Sequence, residues 1–251
     1  MKHFAFYLVV LAALSSCKTE KASDIFDDFE SVTLNPVWDS TKFIPGALEL
    51  QSSIVRSGSR AAKLTLRKGD QIDEEKGTVL ERAELREPKK IMSDEHRDYS
   101  YSFSIFLPSD FPVVPTRLVI AQWKQNCSGN CDPDNPVLAL RYQSGEFLVT
   151  LQTGPDRTTL YSLSDNILNK WLDFRFNLRF SRNDDGYIKG WINNSEVIDF
   201  KGVTAYSSIY GYADPGNFYF KIGLYRDTME DPMTIYIDDY SKQELSDQGD
   251  H

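Results

Sequence analysis

Residues 78–87 carry two arginines and a glutamate at alternate positions, a spacing that has a clear chemical use. If this stretch is a β-strand, Arg82, Glu84 and Arg86 share one face, because successive side chains point to opposite sides. Arginine presents a rigid fork that matches a carboxylate, so such a face is suited to lining a groove for an anionic ligand. Two other interpretations stay open at this point: a solvated face of mixed charge, and a helix, since Glu, Arg, Ala and Leu all favour helices.

Two later stretches space their polar groups in the same way. Gln122 and Lys124 lie on one face of residues 118–124. In residues 218–226 the apolar side chains alternate with polar ones, and the polar face holds Tyr219, Lys221 and Tyr225. Gly223 belongs to that face as well and leaves room for a ligand to approach the backbone.

The elements that must position these residues are short strands. Alternating stretches separated by Gly, Pro, Asn and Asp recur between residues 25 and 240, and no long stretch has helical periodicity. Short strands with frequent turn signals predict an all-β fold, a β-jelly-roll sandwich of two antiparallel sheets. A chain of 251 residues suffices for one such domain, which we place at residues 25–251.

The overall charge limits the classes of partner. The chain has 37 acidic and 28 basic residues, and its formal net charge is −9. This balance excludes nucleic acid and anionic membrane as partners held by bulk attraction. An anionic ligand would have to be held by a local basic patch that works against the field of the whole molecule.

The N-terminus has the pattern of a targeting signal. Lys2 and His3 precede an apolar run at 4–13 that is too short to span a bilayer, and Leu-Ser-Ser-Cys follows. This motif resembles a bacterial lipobox, so we interpret residues 1–17 as a lipoprotein signal peptide, Cys17 as the lipidation site and residues 18–24 as a tether. The protein would then be exported, to the periplasm or the cell surface, and would touch the membrane only through its lipid anchor. The alternative is an ordinary secretory signal in which the cysteine is incidental.

The other two cysteines, Cys127 and Cys131, stand in Cys-Ser-Gly-Asn-Cys. In an oxidising compartment this pair can close a small loop as a disulfide. Zinc is a weaker interpretation, because no second pair of Cys or His lies nearby in the sequence.

Three motifs together resemble a known family. Arg-Ala-Glu-Leu-Arg at 82–86, Gln-Trp-Lys at 122–124 and Tyr-Phe-Lys-Ile-Gly-Leu-Tyr at 219–225 follow the order and rough spacing of jelly-roll polysaccharide lyases. The resemblance is to the heparin-lyase, glucuronan-lyase and alginate-lyase groups and covers roughly residues 27–240. Alginate lyases of this fold have His where this chain has Lys124, whereas jelly-roll ulvan lyases resemble it in using a Lys with a Tyr.

The resemblance implies β-elimination at a uronic acid of an anionic polysaccharide, with no cofactor required for the chemistry. Arg82 or Arg86, with Gln122, would neutralise the carboxylate and stabilise the developing enolate. Lys124 would remove the proton at C5 and Tyr225 would protonate the departing oxygen, or Tyr225 would serve as both base and acid. The remaining motif residues would orient these groups or line the same subsite: Glu84, Tyr219 and Lys221.

Several residues outside this core are further candidates. Arg141 would extend the anion-binding face, and Trp123 would stack on a sugar ring. His96 lies in a charged turn and is interpreted as a surface residue or, alternatively, as a residue at the edge of the groove. Four acids near the two ends of the domain are interpreted as solvated side chains or, alternatively, as ligands of a structural Ca²⁺: Asp28, Glu30, Asp238 and Asp239. We expect the domain to act as a monomer.

Two rival functions remain at the level of sequence. A carbohydrate-binding module of the same fold would use the same groove without cleaving, and the missing histidine is its best argument. A glycoside hydrolase needs two carboxylates across the bond, and the predicted groove offers only Glu84, which is flanked by arginines. Hydrolysis is therefore disfavoured.

Overall fold

The computed structural model describes residues 24–39, 44–70, 74–75, 78–165 and 167–246. The predicted signal peptide, Cys17 and all but the last residue of the predicted tether lie outside these ranges. Among the described residues, no helix is long and apolar enough to cross a membrane. The same described ranges contain two short 3₁₀ turns, at Lys89–Ile91 and Ser208–Tyr210.

Sixteen strands form within the described part of the chain. In order they are β1 Ile25–Asp27, β2 Leu48–Gln51, β3 Ala61–Leu66, β4 Glu74–Glu75, β5 Thr78–Arg86, β6 Ser93–Asp94, β7 Asp98–Leu107, β8 Leu118–Gln125, β9 Leu138–Gln143, β10 Glu146–Gln152, β11 Arg157–Leu163, β12 Lys170–Arg179, β13 Tyr187–Ile192, β14 Ser195–Lys201, β15 Asn217–Asp227 and β16 Met233–Glu244.

The strands build two antiparallel sheets of eight strands each. The back sheet has the order β14-β13-β12-β7-β16-β3-β2, and β1 pairs with β16. The front sheet has the order β11-β10-β9-β8-β15-β5-β4, and β6 pairs with β15. The predicted all-β jelly-roll sandwich is therefore confirmed. The three strands that carry the sequence motifs, β5, β15 and β8, are neighbours at the centre of the front sheet.

Aromatic side chains from both sheets fill the core between them. Phe103 and Phe176 of the back sheet meet Trp123 and Phe220 of the front sheet. The Trp123 ring centroid lies 5.0 Å from that of Phe176 and 4.8 Å from that of Phe220. Burial of each such side chain stabilises the fold by about 1.5–3 kcal/mol, so this cluster holds the two sheets together.

Period-two alternation explains most of the strands, and it fails for β11. In β12, Leu172, Phe174, Phe176 and Leu178 are buried, as the sequence predicts. Strand β11 was not predicted, because it forms the edge of the front sheet and its side chains are exposed or half-buried, without the alternation that marks an amphipathic strand.

Candidate functional site

Three neighbouring strands bring the predicted motif residues onto one outer surface of the front sheet. Tyr225 of β15 lies opposite Arg82 of β5. Lys221 lies between Arg86 on one side and Gln122 of β8 on the other. Directly opposite partners in a sheet point to the same face, so these side chains converge as predicted.

Four of these residues line a groove of about 400 Å³: Arg82, Gln122, Lys221 and Tyr225. Arg86 is not part of the lining of this groove. Its lining includes six basic side chains: Arg82, Arg117, Lys124, Arg141, Arg157 and Lys221. Three acids also line it: Asp132, Asp134 and Asp227. The groove is therefore locally rich in positive charge, although the whole chain carries a net charge of −9.

Glu84 is the buried acid at the floor of the groove. Its carboxylate accepts a short hydrogen bond from the Gln122 side-chain amide and lies 3.3 Å from Arg82 Nε. Lys221 Nζ lies 3.7 Å from the same carboxylate. One acid thus orients an amide and two cations, so that the remaining donors of these three side chains can serve a ligand.

The Tyr225 ring lies between two guanidinium groups. Arg82 Cζ is 4.3 Å from its ring centroid and Arg117 Cζ is 4.7 Å from it. Arg117 is held in turn by Asp227, with Nη2 at 2.7 Å from the carboxylate. Cation–π contacts from two cations fix the ring, which places its hydroxyl at a defined point of the groove.

Tyr219 is stacked in a similar way at the other end of the same strand face. Arg86 Cζ lies 4.5 Å from its ring centroid, and Lys221 Nζ lies 5.6 Å from it. Burial raises the pKa of the Tyr219 hydroxyl, although the nearby Lys124 and Arg86 oppose the shift. Tyr219 therefore stays protonated at neutral pH, and, like Arg86, it is buried or half-buried beside the groove without lining it.

Lys221 is the cation that the groove perturbs most clearly. Its side chain is only 8% exposed, and burial lowers its pKa to about 8, with smaller contributions from Arg82, Lys124 and Arg86. Glu84 opposes this shift by favouring the charged amine. Lys221 is thus charged at neutral pH and loses its proton under mildly alkaline conditions.

Lys124 contacts the loop that forms one wall of the groove. Its Nζ lies 2.9 Å from Asp134 Oδ2, and the side chain is 18% exposed. Cys127 and Cys131 at the start of this loop form a disulfide, which confirms that prediction. Tyr212 donates a hydrogen bond to the carbonyl of Pro133 and fastens the same loop to the body of the domain.

Gly223 stands at the middle of the floor, between Lys221 and Tyr225. Its φ is +148°, which side-chain-bearing residues rarely adopt. A Cβ atom here would lie 2.2 Å from the carbonyl oxygen of Ala83 and 2.8 Å from the Cα of Glu84. The backbones of β15 and β5 therefore meet closely at this point, and no side chain fills the centre of the groove.

The sequence predicts only some of the basic residues that line the groove. Arg141 lies in the groove as predicted and is 7% exposed. Arg117 and Arg157 line it too and were missed. The signal for Arg117 is hidden by a register shift of β8 between Val119 and Ala121, which changes the face that the start of the strand presents.

Two predicted sugar contacts are wrong. Trp123 is fully buried and packs edge-on against Tyr101 in the core, with ring centroids 5.5 Å apart, so it cannot stack on a ligand. His96 does not line the groove. Its Nδ1 lies 3.3 Å from Ser181 Oγ and its Nε2 lies 3.8 Å from Glu95, at a turn beside the end of β12.

The predicted calcium ligands are engaged by donors of the chain itself. Glu30 accepts hydrogen bonds from the backbone amides of Ser59 and Arg60. Asp238 accepts one from the amide of Arg56, and a second, longer one comes from the next residue. Asp28 accepts one from the amide of Glu30, and Asp239 accepts one from the Ser57 hydroxyl. Within the described ranges, no group of three or more His, Cys, Asp or Glu side chains could hold a metal ion, so the calcium alternative lacks support.

One family model matches most of this chain. The model of the family described as "Polysaccharide lyase" matches residues 28–241. No curated protein matches the chain.

Solved structures share its fold at low sequence identity. The endo-β-1,4-glucuronan lyase of the fungus Trichoderma reesei is 17% identical, with a TM-score of 0.66 over 90% of this chain and 96% of that one. Alginate lyase Aly36B, solved as a mutant with an alginate trisaccharide, is 13% identical, with a TM-score of 0.60 over 90% and 99%. The alginate lyase from Corynebacterium sp. is 15% identical, with a TM-score of 0.56 over 80% and 82%.

Proposed function

This chain belongs to the polysaccharide lyase family, and we propose that it cleaves a uronate-containing polysaccharide by β-elimination. The observation that carries the proposal is the composition of the groove. It combines several cations and an amide donor around one buried acid with a tyrosine held between two guanidinium groups. The similar structures are those of a glucuronan lyase and an alginate lyase, which supports a uronate as the reacting sugar.

The first requirement of the reaction is neutralisation of the uronate carboxylate. The proton at C5 is very weakly acidic while the neighbouring carboxylate keeps its full charge. Arg82, with Gln122, is assigned to this carboxylate in preference to Arg86, because Arg82 and Gln122 line the groove and Arg86 does not. Lys221 adds positive charge from the floor. Preorganised donors of this kind stabilise the developing enolate by several kcal/mol, because they need no rearrangement as the charge grows.

The second requirement is a proton acceptor, and we assign it to Lys124. Among the two lysines of the groove, Lys124 extends further from the floor, with a side chain 18% exposed against 8% for Lys221. The Asp134 carboxylate contacts the Lys124 amine at 2.9 Å. An anionic sugar would compete for this contact, and the wall loop would then release the amine to face C5.

The third requirement is a proton donor to the leaving oxygen, and we assign it to Tyr225. The C5–H electrons form the C4–C5 double bond while the bond between C4 and O4 breaks. Lys124, as the neutral amine, receives the C5 proton, and O4 receives the phenolic proton of Tyr225 together with the electrons of the C4–O4 bond. Proton exchange with water then restores both groups, so that no redox partner is needed.

Absorbance tests the proposal directly, because elimination creates an unsaturated uronate that absorbs in the near ultraviolet, whereas hydrolysis or simple binding does not. We expect the wild-type protein to raise this absorbance on β-1,4-glucuronan or alginate. Tyr225→Phe should lower the rate by about 10²–10⁴-fold, the usual contribution of a general acid or base. Lys124→Ala should lower kcat more than it raises KM.

The matched control is Tyr236→Phe. Tyr236 lies in the back sheet and packs against Phe106, whereas the motif strands belong to the front sheet. This variant should keep wild-type activity. A wild-type protein that binds uronate polymers without any new absorbance would instead support a carbohydrate-binding function. Full activity of Tyr225→Phe would remove this residue from the mechanism.

We also propose that the domain works outside the cytoplasm, tethered through a lipid on Cys17. The disulfide between Cys127 and Cys131 supports an oxidising compartment. Metabolic labelling with a radioactive fatty acid, compared between the wild-type precursor and Cys17→Ala, tests the anchor. Equal labelling of the two would contradict it.

A further inference from the structure

We propose that Arg141, Arg157 and Arg117 form a second anion site in the groove, which holds a carboxylate or sulfate ester on the sugar next to the reacting uronate. This inference rests on the proposed function and specifies its substrate class. Neither the sequence motifs nor the catalytic assignments use Arg157, and Arg141 has only the general prediction that it contacts substrate. Arg117 also stacks on the ring of Tyr225, so it belongs to both parts of the groove.

The first observation is that Arg141 is a buried cation. Its side chain is 7% exposed, and its Nε donates a 3.0 Å hydrogen bond to the hydroxyl of Thr150. Among the described residues it forms no ion pair with a carboxylate. Burial, together with smaller contributions from the nearby Arg157 and Arg117, lowers its pKa to about 10. A buried cation beside other cations is costly, and an anion bound from outside would offset that cost.

The neighbours of Arg141 are the second observation. Arg157 is exposed at the start of the edge strand β11 and lines the same groove. Among the described side chains, it too forms no ion pair. Arg117 already has Asp227 as a partner, so it contributes a share of its charge and not a free cation. Three guanidinium groups with one acid among them leave a local excess of positive charge.

The position of this cluster relative to Tyr225 is the third observation. Across the front sheet, Arg82, Tyr225, Val119 and Arg141 lie directly opposite one another on successive strands. Neighbouring strands are about 4.8 Å apart, so Arg141 lies about 10 Å from Tyr225, on the side away from Arg82. Tyr225 therefore stands between two basic clusters. Arg117 of the second cluster contacts its ring directly, and Arg141 lies further away, beyond the small apolar Val119.

This arrangement defines the substrate. If Tyr225 protonates the oxygen of the scissile bond, one basic cluster faces the uronate that loses its C5 proton. The other faces the sugar on the far side of that bond. The site then favours polymers with an anionic group on both sugars, such as a homopolymer of uronate, over polymers in which uronate alternates with an uncharged sugar.

The test compares arginine variants on matched polymers. The probes are β-1,4-glucuronan, the same polymer with about half of its carboxylates reduced to alcohols, and that reduced polymer with sulfate esters added. We expect Arg141→Gln and Arg157→Gln each to raise KM on glucuronan by about tenfold, the effect of one lost ionic contact. On the reduced polymer their KM should approach that of the wild type, because many neighbouring sugars have lost their charge.

Controls separate this inference from the proposed function. Arg175→Gln removes an arginine that stacks on Trp191 in the back sheet, and it should leave KM unchanged on all polymers. Arg157→Gln keeps the test valid if Arg141→Gln fails to fold, because Arg157 is exposed. Recovery of a low wild-type KM on the sulfated polymer would show that the site accepts sulfate esters, and no recovery would restrict it to carboxylates.

Wild-type KM for both folded variants on glucuronan would overturn the second site, even if the wild-type enzyme cleaves. Absence of new absorbance with the wild type on every polymer would overturn the proposed function instead. In that case, affinity electrophoresis of the same variants in gels containing glucuronan still tests the site. Equal retardation of the wild type and the two variants would then overturn it.

Discussion

Strand β5 carries acids on both of its faces, and the number of cations around these acids differs between the two faces. On the core face, Glu81 lies 2.7 Å from Arg226 Nε and also accepts hydrogen bonds from the Thr228 hydroxyl and the Gly69 amide. Both Glu81 and Arg226 are fully buried. One acid is thus matched by one cation, and neutral donors complete the shell of the carboxylate.

Glu87, just after β5, repeats this arrangement within the sandwich. It lies 3.4 Å from Lys242 Nζ and accepts hydrogen bonds from the Tyr240 hydroxyl and the amide of Phe220. Burial raises the pKa of Glu87 and lowers that of Lys242. Each of these two buried acids is therefore paired with one cation.

The groove face of the same strand is not balanced. There, Glu84 has two cations close by and Gln122 as a further donor, and more basic side chains line the groove than acids. Matched pairs inside a protein mainly avoid the cost of unpaired buried charge. An excess of one sign on an accessible surface instead favours a ligand of the opposite sign. The paired charges of the core face therefore support folding, whereas the excess charge of the groove favours ligand binding.

Breaking a matched pair should have the largest effect on stability. Arg226→Met leaves Glu81 buried without its cation, so we expect the free energy of unfolding to fall by about 3–5 kcal/mol. Urea denaturation followed by tryptophan fluorescence measures this loss. The double variant Glu81→Gln with Arg226→Met should be more stable than Arg226→Met alone, because no charge is left unpaired. Equal stability of the wild type and Arg226→Met would contradict this assignment.

The corresponding change in the groove should affect activity and spare the fold. Arg82→Gln removes one carboxylate-neutralising group, so kcat/KM on glucuronan should fall by about 10²–10³-fold, as for loss of one donor to a developing oxyanion. The free energy of unfolding should change by less than about 1 kcal/mol, since Glu84 keeps Lys221 and Gln122 as partners. Arg175→Gln is the matched control. A variant that is unstable but fully active when folded would reverse the comparison.

The smallest expected effect is a pH dependence that only the groove should show. Because burial lowers the pKa of Lys221 to about 8, this side chain is charged below that pH and neutral above it. Substrate binding should therefore weaken as the pH rises through that value, and KM should increase by up to about tenfold. Lys221→Arg keeps its charge at higher pH and should remove the rise. A KM that stays constant from pH 7 to about pH 9 would contradict the role of Lys221 in binding.

Alternation along single strands predicts much of the fold and the floor of the site. Phe220, Ile222 and Leu224 are buried, which places Tyr219 and Lys221 on the opposite face, as their spacing indicates. The same rule, applied strictly, would have corrected the prediction for Trp123. Gln122 and Lys124 point into the groove, so the residue between them must point into the core.

The rest of the site depends on features that no single strand contains. Val119 and Gln122 both line the groove although they are three positions apart, a spacing that places side chains on opposite faces of a regular strand. They share a face here because β8 shifts register between them. This shift also turns Arg117 towards the groove. Arg157 and Asp134 reach the site from an edge strand and a loop, and their positions follow from tertiary packing. His96 sits in a turn with a positive φ, where periodicity carries no information.

The absence of a side chain at Gly223 has a consequence for how this enzyme can diversify. Any larger residue there would collide with the backbone of β5, so the depth at the middle of the groove cannot be adjusted by exchange at that position. Natural drift or directed evolution towards other glycans must act instead through the walls, where Asp134 and Arg157 stand on a loop and an edge strand. Saturation mutagenesis of the domain should thus return glycine alone at this point, while the flanking walls tolerate wide variety.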